Sequence, residues 1–430
     1  MRIAWVTPLG VQSAIAEYSI NVAEALSKTS DIRVLASDSP PWRNTSLPRS
    51  PLRSITTGEL TTFDVRFYNM GDHAAFHSRA YEASRRAPGY CVLHDRSYQS
   101  LFASMFLHTS ATPQKYLDVM ARHYGDEGRQ AATASIRARR GPVWESADES
   151  LRFPLEEELL AGALGAVVHS EGHRRSLAAR WWGPVGRVHF PAYRKTEAPT
   201  RKGTSGERTT LVTLGHLNPN KQIHRVIDAI SNDDLLRTQA RYIAAGPENE
   251  RYVGELAQLV RERGLEGTVE IRPGFMSPDE INRLCTEADV FVNLREPASE
   301  SASASLMEQL AYGRAIVASD NGCRAELPEG AVVKVPEGHD ERLTDALRRL
   351  VADEKLRSTI GLAGWRFAMS QTVELAAADY VRFLEEAPRW KPALDLADRV
   401  GKELAAMGVT TASPSLRRIS THIASIGSGR

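Results

Sequence analysis

Residues 288–328 read ADVFVNLREPASESASASLMEQLAYGRAIVASDNGCRAELP. The run Val290 to Leu294 has the make-up of a strand buried in a sheet, and it ends in a polar loop rich in serine. A helix, a glycine turn and a second apolar run, Ala315 to Ala318, follow. Two consecutive strands joined through a helix imply parallel neighbours, because a parallel pair needs a crossover and the helix covers the sheet face.

The same alternation extends outward in both directions. After it comes Val332 to Val333. Before it lie strand-like runs at Leu211 to Leu214, Tyr242 to Ala245 and Val269 to Ile271, with Ile223, Val226, Ile227 and Ile230 at helical spacing. The first half repeats the pattern: Ile3 to Thr7, then Ile15, Tyr18, Val22 and Leu26 on one helix face, then Arg33 to Ala36, Val65 to Tyr68, Tyr90 to Leu93 and Ala166 to His169. Between Tyr98 and Glu158 no strand is legible. Residues 195–208, KTEAPTRKGTSGER, have the composition of a linker.

The expected architecture is therefore α/β, with two Rossmann-like doubly wound domains facing each other across a cleft. The first spans 1–194 with a helical insertion at about 98–158, 195–208 is the linker, and the second spans 209–368. A helix at 369–390 is expected to pack back on the first domain. The tail 391–430 carries Leu394, Val400, Leu404 and Met407 on one helix face before a polar end. Open parallel sheets bind ligands beyond the carboxyl ends of their strands, so chemistry is expected just after strands.

Composition narrows the classes. The chain has 430 residues, 42% hydrophobic and 25% charged, enough for two globular cores. Its formal charge of +1 gives no general attraction to nucleic acid. Cys91, Cys285 and Cys323 lack the spacing of a metal site or disulfide framework. The opening MRIAWVTPLG is unlike a signal peptide, and no run approaches the roughly 18 apolar residues of a spanning helix, so a cytoplasmic protein is expected. GHRRSLAARWWGPVGR groups Arg174, Arg175, Arg180, Trp181 and Trp182, a mixture that suits a lipid headgroup region and equally suits a helix packed on its domain. A weak peripheral contact with the inner face of a membrane is expected on the first reading.

Glu300 and Glu308, eight residues apart, would lie on nearly one helix face about 12 Å apart along the axis. By itself such a pair is an ordinary solvated face. In its setting the stretch resembles the E-x7-E region of the large retaining glycosyltransferase family 4, a GT-B family, in a bacterial branch. LVTLGHLNPNKQIHRVIDAI is similar to that family's strand, glycine, basic residue and later lysine. PGYCVLHDRSY, TPLGVQSAIAEYS and VVHSEGHRR resemble first-domain segments in the family's order.

The resemblance implies a retaining hexosyl transfer from a UDP- or GDP-sugar to the hydroxyl of a small-molecule, glycan or lipid acceptor. It assigns His94, Lys221 and Glu300 to catalysis, and Gly10, His216, Lys221, Ser301, Ser303, Ser305 and Glu308 to the donor. Ser301, Ser303 and Ser305 would cap the helix and let the diphosphate approach its free N–H groups. Glu300 would orient the sugar, His94 its outer hydroxyls and Glu308 the ribose. Asn69, Asp72 and Asp95 would fix loop geometry. His216 stands where the family often has arginine. No Asp-x-Asp occurs in the chain, so neither a metal nor another cofactor is expected. The competing expectations are a sugar-nucleotide epimerase or hydrolase of the same fold, and a sugar-nucleotide-binding protein without turnover.

Overall fold

The computed structural model describes residues 1–11, 13–108, 113–138, 141–194, 196–199, 208–247 and 249–407. Lys195 and residues 200–207 of the expected linker, and the tail beyond residue 407, lie outside the described residues.

Two contact units divide the chain: Met1–His189 with Ser299–Ala302 and the chain from Val373 onward, and Phe190–Ala298 with Ser303–Thr372. In the first, strands β1 (Arg2–Thr7), β2 (Asp31–Ala36), β3 (Arg49–Pro51), β4 (Val65–Met70), β5 (Tyr90–Leu93), β6 (Gly165–Val168) and β7 (Val185–Arg187) form one sheet in the order β3-β2-β1-β4-β5-β6-β7. Every pairing is parallel. In the second, β8 (Thr209–Leu214), β9 (Ala240–Gly246), β10 (Val269–Pro273), β11 (Val290–Asn293), β12 (Ala315–Ser319) and β13 (Val333–Val335) run β10-β9-β8-β11-β12-β13, again all parallel. Each is the doubly wound order. The strand sequence reverses beside β1 in one sheet and beside β8 in the other, which leaves a crevice at the carboxyl ends there.

Sequence periodicity misses β3 and β7. Both are three-residue edge strands, Arg-Ser-Pro and Val-Gly-Arg, paired on one side only and too short to show a pattern. The last strand begins one residue later than expected, at Val333.

Between β5 and β6 the chain is helical, with helices Gln99–Ala103, Gln114–Ile136, Ala147–Arg152 and Glu156–Leu159. Tyr116, Val119 and Met120 of the long helix join the first unit's core beside Leu93, Leu101 and Phe102. The helix Val373–Glu386 belongs to the first unit and packs on Ala14–Leu26. The Tyr380 ring meets Trp5 at 5.3 Å and Phe67 at 5.0 Å, and its hydroxyl hydrogen-bonds that of Tyr18 at 2.8 Å. Phe383 lies edge-on to Tyr90, against Gly165 and Gly186, where a Cβ would enter its ring. Each such fully buried aromatic contributes about 2 to 3 kcal/mol of burial free energy.

The second unit's core fills between its sheet and its helices, with Leu211, Tyr242 and Val292 facing Val226, Ile230 and Leu347. Among the described residues no helix is long and apolar enough to cross a membrane.

Candidate functional site

In the first unit the chemistry gathers after β5. His94 follows that strand directly and is buried, its ring edge-on to Tyr18 at 4.9 Å and beside His169 at 5.0 Å. His94 Nε2 is 3.1 Å from Asn69 Oδ1, and the Asn69 amide donates to the Val6 carbonyl, so Nε2 carries the proton in this arrangement. Burial first, then the neighbouring His169 and His77, push His94 well below the ordinary histidine range. Burial likewise brings His169 down to about 4 and His77 to about 3, each partly offset by a backbone hydrogen bond. At neutral pH all three rings are uncharged.

Residues 299–302 lie along the loop that follows β5. The Arg96 amide donates to the Ser299 carbonyl at 3.0 Å, the Ser301 amide donates to the His94 carbonyl at 3.1 Å, and Asp95 and Glu300 form an antiparallel bridge. Glu300 and His94 are thereby neighbours, with the Glu300 side chain half-buried. Two sequence expectations are corrected here. Glu300 and Glu308 do not share a helix, because the helix runs Ala304–Ala311 and Glu300 precedes it. Ser301 neither caps that helix nor offers its N–H to a phosphate. Its amide is held by His94, while its buried Oγ accepts from the His169 amide at 3.0 Å and lies 2.8 Å from His173 Nδ1.

Asp72 and Asp95 do fix loop geometry. Asp95 Oδ2 accepts from the Asp72 amide and Asp72 Oδ1 from the Leu101 amide, at 2.9 and 2.8 Å. Burial, and then the Asp95 carboxylate, push Asp72 up to about 7. Gly10, after β1, gives its N–H to Asp38 Oδ2 at 2.7 Å rather than to a ligand, and a Cβ there would sit 2.7 Å from the same oxygen. Glycine therefore fits because Asp38 closes the turn.

In the second unit Lys221 ends the turn Pro219–Lys221 after β8 and is buried, with Nζ donating to the Leu214 carbonyl at 2.5 Å. Gly215 makes the room. Its φ of +102° disfavours any side chain, and a Cβ would lie 3.0 Å from the ammonium. The loop after β11 is tied to the same turn: the Glu296 amide donates to the Asn220 carbonyl, Arg295 Nη1 to Asn220 Oδ1, and the Arg295 amide to Ser319 Oγ. The switch-point crevice of this sheet thus holds a buried ammonium. His216, two residues beyond β8, is exposed.

Ser303 is the N-cap of Ala304–Ala311 but makes no side-chain cap. Its Oγ accepts from Arg324 Nη2 at 3.2 Å and lies 3.3 Å from Ser305 Oγ. Arg324, fully buried, also donates through Nε to Asn293 Oδ1 at 3.0 Å. Sequence reasoning missed this pair; a lone asparagine in the apolar run Val290 to Leu294 was the available signal. Glu308 is exposed, on the side of its helix facing Cys285 and Tyr312. Burial, and then the Glu308 carboxylate, push the Cys285 thiol up to about 12. Among the described residues no group of His, Cys, Asp and Glu side chains has the arrangement of a metal site.

In the Arg and Trp stretch the guanidinium groups are paired with carboxylates, with Arg175 and Arg180 exposed. His173 is buried, Arg174 and Arg175 pair with Glu171, and Arg180 pairs with Glu156 and Glu157. Trp181 and Trp182 line a cavity of about 450 Å³ with Phe383 and Trp390.

The comparisons agree with this architecture. Several solved structures share the fold: HepE of Anabaena in complex with UDP (16% identity, TM-score 0.59, 90% of this chain and 100% of that one), sucrose-phosphate synthase of Thermosynechococcus elongatus (15%, 0.58, 90% and 98%), and WaaG, a glycosyltransferase involved in lipopolysaccharide biosynthesis (12%, 0.53, 88% and 99%). No curated protein matches the sequence. Residues 194–365 match the family model described as Glycosyl transferases group 1. The matched segment lies mainly in the second unit, and the chain has the GT-B fold of these solved structures.

Proposed function

We propose that the protein transfers a sugar, with retention, from a UDP- or GDP-sugar to an acceptor hydroxyl. The observation that carries the reading is the Lys221 ammonium buried beside Gly215 in the β8 and β11 crevice. A buried cation at a switch point suits a diphosphate, whose charge grows as the glycosidic bond breaks. The family match over 194–365, and relatives of this fold whose structures hold UDP or UDP-glucose, support the same donor class.

In this reading Lys221 offsets charge on the leaving diphosphate, with the start of the helix Ala304–Ala311 adding its partial positive charge. Ser303 and Ser305 contribute backbone N–H groups, Glu308 holds the ribose, and exposed His216 reaches the outer phosphate. Glu300 orients the sugar and neutral His94 meets its hydroxyls. Substitution on the front face lets the departing phosphate oxygen take the acceptor's proton, so no carboxylate nucleophile is needed. Lys221 and the helix also supply the electrostatic stabilisation a divalent ion would otherwise give, hence a metal-independent enzyme.

Incubating the purified protein with UDP- and GDP-sugars and a panel of hydroxyl acceptors, with products read by mass spectrometry and anomeric configuration by NMR, tests the proposal. A glycosylated acceptor with retained configuration is the expected result. Donor conversion with no acceptor product would mark an epimerase or hydrolase, and donor binding with no conversion a binding protein.

A further inference from the structure

A chain of short polar contacts runs behind Glu300. Ser301 Oγ lies 2.8 Å from His173 Nδ1, His173 Nε2 lies 2.6 Å from Glu156 Oε1, and the other Glu156 oxygen is paired with Arg180. The relative exposure of Ser301 is 0%, and that of His173 and Glu156 is 1% each. Burial would raise the Glu156 pKa, but the hydrogen bond from His173 and the charges of His173 and Arg180 outweigh it and hold the carboxyl below its usual range. Ionised Glu156 can only accept, so His173 Nε2 bears a proton. The Ser301 hydroxyl meets His173 Nδ1, while the Ser301 oxygen takes the His169 amide at 3.0 Å.

Serine, histidine and carboxylate in this order resemble a nucleophile with its base and orienter. Burial rules that use out, since no substrate reaches an oxygen with no exposed surface that already accepts from His169. What the chain of contacts does is fix a segment. Ser301 is held on three sides, by His94 through its amide and by His169 and His173 through its hydroxyl. Glu300 is the adjacent residue.

We propose that Ser301, His173, Glu156 and Arg180 form a positioning relay that sets the Glu300 carboxylate beside His94. The inference rests on the reading above, in which Glu300 contacts the transferred sugar. Four features carry it. Two partners converge on one hydroxyl, and a third holds the amide of the same residue. Ser301, His173 and Glu156 are buried, so their geometry is held by packing as well as by hydrogen bonds. The relay ends on Arg180, whose second guanidinium nitrogen pairs with Glu157 at 2.7 Å, which fixes the charge that keeps Glu156 ionised. Finally, the cost of a misplaced group is steep: an error near 1 Å at a reacting centre lowers turnover by about 100-fold.

The test compares Ser301→Ala, His173→Gln, the double variant and Glu300→Gln in the full-length protein. UDP affinity is read by calorimetry and UDP release from UDP-glucose as turnover. Amide hydrogen exchange is followed at residues 299–302. Ser301→Ala keeps the amide bond to His94 and removes only the hydroxyl. It is expected to lower kcat by about 10- to 100-fold with UDP affinity within about twofold, and to speed exchange at 299–302 while the strands stay protected. The double variant should lose no more than the worse single one, because both cut the same relay. Losses that multiply would mean independent effects and overturn the relay. Wild-type kcat in Ser301→Ala, with Glu300→Gln inactive, overturns the relay and leaves the role of Glu300 standing. Wild-type kcat in Glu300→Gln removes the sugar contact itself. The exchange arm needs no substrate, and unchanged protection at 299–302 in Ser301→Ala overturns the relay whatever turnover shows.

Discussion

The Ser301 amide donates to the His94 carbonyl at 3.1 Å, joining two positions 207 residues apart in the chain. Through that bond the Glu300 loop and the end of β5 share one backbone geometry. Both residues proposed to meet the sugar therefore answer to one small region, and several of the expected effects follow from it.

Glu300→Gln keeps the side chain's shape and removes its charge. Transfer should fall at least about 100-fold while UDP affinity stays within about threefold, since the proposed contact is to the sugar. Glu308→Gln should do the converse, weakening UDP binding with less effect on kcat. Equal UDP affinities for wild type and Glu308→Gln, measured by calorimetry, would remove Glu308 from the ribose role.

Lys221→Ala deletes a buried ammonium that holds the Leu214 carbonyl. Donor affinity should drop by about tenfold, near 1.4 kcal/mol, and kcat by about 100-fold, because the diphosphate gains charge in the transition state. Steady-state kinetics against donor concentration separate the two. A loss confined to KM would mean that Lys221 contacts ground and transition states equally.

Stripping divalent ions with EDTA should leave most transferase activity in place, since the protein's own charges face the leaving group in this account. Loss of activity that returns with magnesium or manganese, and with no other salt at matched ionic strength, would falsify it.

Acid should destabilise the protein in a recognisable window. His94, His169 and His77 protonate more readily in the unfolded chain, near pH 6.5, than in the fold, where His169 sits at about 4 and His77 at about 3. Their contribution is complete above about pH 6.5 and drains as pH falls toward 4, at up to about 1.4 kcal/mol per pH unit for each ring. Asp72 acts oppositely. Its folded value of about 7 lies above the unfolded 3.8, so its stabilising effect is present at low pH and is lost as pH rises toward 7. Asp72→Asn should therefore steepen the acid loss, with the gap between variant and wild-type Tm closing or reversing from pH 4 to pH 7. Parallel Tm profiles would show that Asp72 titrates normally.

Tyr380→Phe removes the hydroxyl bond to Tyr18 and should cost about 1 kcal/mol. Tyr380→Ala also empties the space against Trp5 and Phe67 and should cost about 3 to 5 kcal/mol. Denaturant unfolding followed by tryptophan fluorescence reads both. Equal costs would mean that the ring packs less tightly than its contacts imply.

The sequence by itself determined the alternation of strands and helices, hence two parallel sheets, because burial imposes a period that survives in one dimension. It also singled out Lys221, His94 and Glu300. Tertiary structure decided what those residues touch. Ser301 reads as a helix cap from its neighbours, yet its hydroxyl is claimed by His169 and His173, 132 and 128 residues away. Glu300 and Glu308 have helical spacing, but the chain between them is a loop up to Ser303, because pairing with Asp95 outweighs local propensity. Arg324 and Asn293 meet through a buried guanidinium that no local pattern announces. Periodicity records which face of an element is buried. Which polar groups a distant segment must satisfy is fixed only when the sheets have formed.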